Sequence, residues 1–387
     1  MKVEQLYPLI NTITQEAVGD SVVVNEDLSN IVDVGDTILG AIGVDNYVKK
    51  LTDRIGRVIF YAKSYSGNLK SLMRDKWDFG SILEFIDCEM PDAIQVNDTW
   101  DLQDNASYDP FVFRGAKVSA MFFNEKCTFE VDISVARRQV EESFTSVNEL
   151  NTFVEMIYTA VENSMTIKIE ELCMRTINAM IGETVYDEFN STSSFSAVSG
   201  TKAVNLLKLY NDRFSTSLTQ ADCLTDKDFI RFASFYIGNY LVRMGKMSTL
   251  FNIKGKARFT PKDELALVMH SDFYNGASVY LYSDTFHENY LKLPDATDIV
   301  PYWQGSGTGY DFTDTSKIMC TTPSNHTMTI TGVLACVFDR RAVAVCNEER
   351  VTESIYNPRG QFFNSFYKYS MHSLINDGMS FVVFFAE

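Results

Sequence analysis

Residues 146–182 form one unbroken amphipathic run, far longer than the helix of an ordinary globular domain. Leu150, Phe153, Val154, Ile157, Val161, Met165, Ile169, Leu172, Cys173, Ile177 and Met180 recur at intervals of three and four, which places them on one stripe of a helix. Ser146 and Glu149 have the spacing of a capping box, which sets an N-terminus, and Gly182 is expected to end the helix. At 1.5 Å per residue such a rod is roughly 50 Å long. The apolar spacing keeps no strict heptad, so the stripe is expected to pack on a sheet rather than on another helix.

Charge is the second constraint. The net charge is -17 at pH 7, unevenly spread. Residues 78–109 carry Asp78, Glu84, Asp87, Glu89, Asp92, Asp98, Asp101, Asp104 and Asp109 with no cation, whereas residues 243–262 carry Arg243, Lys246, Lys254, Lys256, Arg258 and Lys262 with no acid. Opposite blocks on different faces of one chain suit charge-steered association between copies, and each block alone also reads as a solvated face. Asp87, Glu89, Asp92, Asp98 and Asp101, with Arg243, Lys246, Lys254, Lys256 and Arg258, are therefore the candidate subunit-interface residues. An acidic chain of this kind lacks the basic excess of a dedicated nucleic-acid reader.

With 387 residues and 45% hydrophobic content the chain can bury a sizeable core, and it is not a disordered protein. No stretch approaches the length needed to cross a bilayer, and the first residues lack a secretory layout, so a soluble, non-exported protein is expected. Seven scattered cysteines, mostly flanked by apolar residues, read as buried free thiols in a reducing compartment. The Asn-x-Ser/Thr triplets at Asn97, Asn105, Asn190 and Asn325 are then chance matches.

Along the chain, residues 1–55 read as an arm lying on other surfaces, and residues 56–125 as a long β-rich excursion that contains the acidic block and a strand-like stretch over 117–123. Strict alternation over 127–133 marks a half-buried strand. A polar loop at 190–194 follows the long helix. Residues 226–252 read as a second long helix with Phe229, Phe232, Ala233, Tyr236, Ile237, Tyr240, Leu241 and Met244 on one side, and residues 265–270 as a strand. Residues 327–338 read as one strand, 342–346 as a shorter one and 361–372 as an aromatic-rich third. Asp377-Gly378 is expected to close a hairpin through a type I′ turn onto a terminal strand over 379–385, which is apolar on both faces and so central or covered, with the long helix as its expected cover.

Sites of chemistry are scarce. Gly245-Lys246 lacks the first glycine and the hydroxyl residue of a phosphate loop. His287-Glu288 lacks the second histidine of a zinc-protease helix. The Gly305–Gly309 run departs from the dinucleotide fingerprint. No cysteine pair has metal-ligand spacing, so no catalytic residue, cofactor or metal is assigned. Cys223, His270 and Asp272 remain a conceivable nucleophile, base and orienter of a soluble cysteine hydrolase, although nothing in the sequence brings them together. Trp77, Trp100 and Trp303 suit either interface anchors or core.

The order of arm, extended β excursion, long helix, inserted α+β region and returning strands resembles the major capsid proteins of tailed bacteriophages of the Hong Kong ninety-seven type. The resemblance spans essentially the whole chain. Its local carriers are residues 327–349, in which a strand enters an Asp339-Arg340 turn, and the closing residues 378–385. It implies an α+β phage major capsid fold: a long spine helix over a β-sheet, an N-terminal arm (1–55), an extended β-rich loop lying over a neighbour (56–125), a peripheral domain (126–199 with 335–387) and an inserted axial α+β domain (200–334). It further implies a structural protein of the virion, assembled in the host cytoplasm as hexamers and pentamers into an icosahedral shell around double-stranded DNA. Its partners would be other copies of itself, scaffolding, portal or auxiliary capsid proteins and, non-specifically, the packaged DNA, with no membrane partner. An encapsulin-like nanocompartment shell protein shares that architecture. Some family members crosslink through a Lys of the extended loop; the acidic stretch here has none, although Lys70, Lys76 and Lys117 flank it, so that chemistry is not carried over.

Overall fold

A computed structural model of the protein describes residues 69–74, 83–88, 117–123, 125–143, 147–195, 200–282, 296–304 and 311–387, with isolated positions among 11–37 and 104–115. Helix α1 spans Arg137–Ser143, and helix α2 spans Val147–Phe189, 43 residues long. The expected stripe is buried at Phe153, Val154, Ile157, Val161, Met165, Leu172, Cys173, Ile177 and Met180, and it continues through Ile181 and Val185. Gly182 does not end this helix. Its missing side chain makes room for a neighbour, because a Cβ there would lie 2.6 Å from Cys320 Sγ and 3.1 Å from Thr322 Cγ2. The helix stops seven residues later, where Asn190 takes a positive φ of 48°, a conformation that Asn tolerates at a helix end. Ser146, the expected cap, lies outside the described residues.

The chain divides into two units. The first comprises Met1–Asp78, Lys126–Arg175 and Ala344–Ser373. Its sheet contains β1 (Met73–Arg74), β4 (Lys126–Ala136), β11 (Val343–Asn357) and β12 (Phe362–Ile375), in the order β1-β11-β12-β4. Strand β4 shows the alternation expected from sequence, exposed and half-buried in turn. It pairs antiparallel with β12, and cross-strand pairs knit the two: Lys368 Nζ lies 3.1 Å from Glu130, Ser134 Oγ donates to Asn364 Oδ1 at 2.6 Å, and the Phe129 and Tyr369 rings are 5.2 Å apart. Strand β11 is much longer than the short run expected at 342–346. Its outer half, Arg350-Val351-Thr352-Glu353-Ser354, mixes charged and β-branched residues without a clean period, so sequence alone gave it no strand signature.

The second unit comprises Phe79–Glu125, Thr176–Val343 and Leu374–Glu387. Its main sheet is β5 (Ala203–Asn205), β13 (Phe381–Phe385), β10 (Val333–Asp339), β6 (Leu265–His270) and β7 (Asp298–Val300), in that order. Strands β6, β10 and β13 are buried at every position, which is why they read as apolar runs rather than alternating ones. Helices α3 (Leu206–Phe214), α4 (Lys227–Met244) and α5 (Ser271–Tyr282) follow in sequence, and all three belong with Leu267, Met269, Val337, Val382 and Phe384 to one core, α5 through Phe273 and Ala277. Asp226 caps α4 by accepting from the amides of Asp228 and Phe229 at 2.9 and 2.7 Å. This helix ends at Met244 and not at 252, because the Met244 carbonyl accepts from Thr260 and a bridge between Ser248 and Arg258 folds the chain back. On the other side of β13, Phe385 meets Phe189 of α2 and Phe195 at ring distances of 5.8 and 5.7 Å, so the long helix reaches the terminal strand through its last turn.

Two expected connections take a different form. The single strand expected over 327–338 is two strands, β9 (Thr327–Ile330) and β10, in different sheets, separated at Gly332 with φ 68°. Strand β9 pairs instead with β8 (Ile318–Thr321). Likewise β12 and β13 do not form a hairpin; they belong to different sheets. Gly378 is not at positive φ, and Asn376 Oδ1 accepts its amide at 3.1 Å while the Asp377 carbonyl accepts from Ile253 and Lys254. The turn is an Asx turn tied to a neighbouring loop, not a type I′ turn.

Candidate interaction surfaces

Within the second unit, β2 (Leu83–Cys88) and β3 (Val118–Phe123) form an antiparallel ribbon from the excursion that carries the acidic block. Period-two alternation gives the ribbon two faces. Asp87 is on the inner face and only 6% exposed, opposite Ser119. Both strands are pinned there by one lysine: Lys256 Nζ donates to Asp87 Oδ2 at 2.6 Å and to Ser119 Oγ at 3.0 Å. The Arg258 guanidinium pairs with the same carboxylate oxygen. Arg258, then Lys256, hold the Asp87 carboxyl below the usual carboxylate range against the opposing effect of burial.

Both cations are themselves held. Asn252 brackets the Lys256 backbone, donating to its carbonyl at 2.6 Å and accepting from its amide at 2.8 Å, and Arg258 Nε donates to the Gly378 carbonyl at 3.1 Å. Lys254 pairs with Asp377 at 2.7 Å. The charge complementarity expected between copies is thus realised, at Asp87, Lys256 and Arg258, inside one chain. Arg243 and Lys246 stay exposed at the end of α4, the former with its guanidinium 5.5 Å from the Tyr240 ring centroid. Glu89, Asp92, Asp98 and Asp101 lie outside the described residues.

The outer face of the ribbon is apolar apart from Glu84, which lies opposite Phe122, and sequence reading missed it because the acidic residues dominate the stretch. Ile86 is 64% and Phe122 65% exposed, and Val118, Cys88 and Ala120 share their face. A second exposed apolar group, Val242, Met247, Leu250 and Phe259, surrounds the end of α4 beside Arg243 and Lys246. Exposed apolar groups of this kind on a folded chain are candidate sites of association. Trp303 is not one of them, being fully buried, and Trp77 and Trp100 lie outside the described residues.

Of the residues of the conceivable hydrolase, His270 and Asp272 are neighbours, with His270 Nδ1 4.0 Å from an Asp272 carboxylate oxygen, whereas Cys223 is engaged elsewhere. Cys223 is buried, its thiol donates to the Gln220 carbonyl, and burial pushes its pKa up to about 12, so it is not a thiolate at neutral pH. His270 is fully buried; its Nδ1 accepts from the Asp272 amide at 3.3 Å, its ring lies against Phe312, and burial favours its neutral form. Cys88 is the exposed thiol, and Cys127 and Cys320 are half-buried, so burial of all seven is not the pattern. In unassembled native subunits a maleimide is expected to label Cys88 within minutes and to leave Cys223 and Cys336 unmodified over hours. Mass mapping of the labelled peptides checks this, and rapid labelling of Cys223 would contradict its burial. Among the described residues no three His, Cys, Asp or Glu side chains cluster as metal ligands, and no helix is long and apolar enough to cross a membrane.

No curated protein matches the chain. Solved structures similar to it include the capsid of Staphylococcus phage Andhra (10% identity over 84% of this chain and 86% of that one, TM-score 0.49). Others are the capsid of cyanophage P-SCSP1u (11% identity, 85% and 94% covered, TM-score 0.43) and the mature capsid of bacteriophage PhiM1 (10% identity, 84% and 87% covered, TM-score 0.40). A family model for Phi29-like phage major capsid proteins matches residues 10–385. Matched over almost its whole length, the chain belongs to the Phi29-like phage major capsid protein family.

Proposed function

We propose that many copies of this chain, as hexamers and pentamers, tile a closed icosahedral shell around phage double-stranded DNA, with no catalytic role. The observation that carries this reading is the family match across residues 10–385. The exposed apolar face of the β2–β3 ribbon and the basic-apolar surface at the end of α4 support it, since a subunit that worked alone would gain nothing from leaving Ile86, Phe122, Val242 and Phe259 in water. In this reading residues 1–55 are the arm, 56–125 the extended loop over a neighbour, 126–199 with 335–387 the peripheral domain and 200–334 the axial domain. Arg243 and Lys246 face the acids Glu89, Asp92, Asp98 and Asp101 of an adjoining copy. Assembly takes place in the host cytoplasm with scaffolding, portal or auxiliary proteins, and contact with the genome is non-specific.

Recombinant expression followed by electron microscopy tests the reading. Rings, tubes or shells are expected, and particles from infected cells should absorb as nucleoprotein. A monodisperse 43.9 kDa monomer at every protein concentration and ionic strength would overturn it.

A further inference from the structure

The ribbon poses a physical problem. Two strands alone are marginally stable in water, and the outer face of this pair has no cover from its own subunit among the described residues. Its order therefore depends on the inner face, where, among the described side chains, Phe85, Met121 and Phe123 are only half-buried and Asp87 is the buried one. That carboxylate meets two cations that are already held, Lys256 through its backbone by Asn252, and Arg258 through its backbone bridge to Ser248 and its Nε bond to the Gly378 carbonyl. Because Lys256 also reaches Ser119, directly opposite Asp87, a single ammonium group ties both strands at the same level. Lys254 adds a contact to Met121 of the second strand. Removing either partner would leave a largely buried charge without its counterpart, which is the costly outcome for a pair of this kind.

We infer that Asp87, Lys256 and Arg258 form an intrachain latch that sets the pose of the β2–β3 ribbon on its own subunit before a second copy arrives. The latch holds the inner face down and leaves Ile86, Val118 and Phe122 outward, so the ordering cost of the ribbon is met within the subunit and not at assembly. The latch itself is a property of the isolated chain; only its use in assembly rests on the shell reading.

Hydrogen-exchange mass spectrometry on full-length, unassembled subunits tests the latch. In the native sequence the peptides covering 83–88 and 118–123 are expected to be protected. Asp87→Asn and, separately, Lys256→Met should each speed their exchange at least tenfold, while peptides over 265–270, 333–339 and 381–385 keep their protection. The double variant should exchange no faster than the faster single one, because either change opens the same contact. Lys368→Met, which removes an exposed pair with Glu130 elsewhere in the chain, should leave the ribbon untouched. Ribbon peptides that exchange freely in the native sequence, or that stay equally protected in both Asp87→Asn and Lys256→Met, would overturn the latch. Electron microscopy of the same samples reads assembly separately: protected ribbons in a chain that never assembles would leave the latch standing and remove the shell reading.

Discussion

Gly332→Ala is expected to lower the stability of the second unit by about 3–5 kcal/mol, the sum of two penalties that both fall on the backbone. Gly332 has φ 68°, where an L-residue with a Cβ is strained by roughly 1–2 kcal/mol. The new methyl would also sit 2.0 Å from the Ala386 carbonyl oxygen and 2.4 Å from Gln220 Nε2. The glutamine can swing away. The Ala386 carbonyl cannot, because the Ala386 amide donates to the Gly332 carbonyl at 2.8 Å and anchors the end of β13 against this turn. Relief therefore requires moving the exit of a fully buried strand or breaking the Gly332 amide's bond to Ser316 Oγ, 3.0 Å long. Thermal unfolding followed by circular dichroism should show the midpoint fall by on the order of 10 °C. A midpoint unchanged within error would mean that the turn does not have this geometry.

The same glycine shows why part of the fold was legible and part was not. Residues 265–270 and 381–385 were readable as strands because burial on both faces makes them uniformly apolar, and residues 127–133 because burial on one face makes them alternate. At 327–338 both signals run straight through Thr331-Gly332, and only the tertiary pairing reveals that the strands on either side belong to different sheets. Asp377-Gly378 misled for a related reason. Its local chemistry suits a hairpin, but Lys254 and the amides of residues 253 and 254 engage Asp377 and tie the turn to a neighbouring loop. Gly182 could be read only as a helix end from sequence, since its real role depends on Cys320, far along the chain. The candidate interaction surface divides in the same way. Its opposite charge blocks are visible as composition, but that Asp87 in particular, facing inward by strand alternation, meets Lys256 and Arg258 of the same chain follows from pairing that no local pattern encodes.

Trp303→Ala should cost the second unit about 3–5 kcal/mol, within the range for deleting a buried aromatic side chain. Trp303 is fully buried, and its backbone and side chain serve three elements at once. Its indole Nε1 donates to the Val333 carbonyl at 3.0 Å, its carbonyl accepts from Asn178 Nδ2 of α2 at 2.7 Å, and its amide donates to the Thr315 carbonyl at 2.9 Å. Truncation leaves a cavity of indole size and deprives a buried carbonyl at the start of β10 of a side-chain donor, a loss worth about 1 kcal/mol or more by itself. Trp303→Phe separates the two contributions, because it refills most of the cavity and restores no donor; its cost should be about half or less. Denaturant unfolding of the three proteins gives the comparison, and equal losses for Ala and Phe would show that the ring's volume contributes nothing. The result also decides between the two roles open to a tryptophan in a shell subunit. An interface anchor replaced by alanine would give a normally stable subunit that fails to associate. A core tryptophan replaced by alanine gives a subunit whose unfolding midpoint falls before any partner is present, with faster exchange over 333–339, and the burial and bonding of Trp303 require this second outcome.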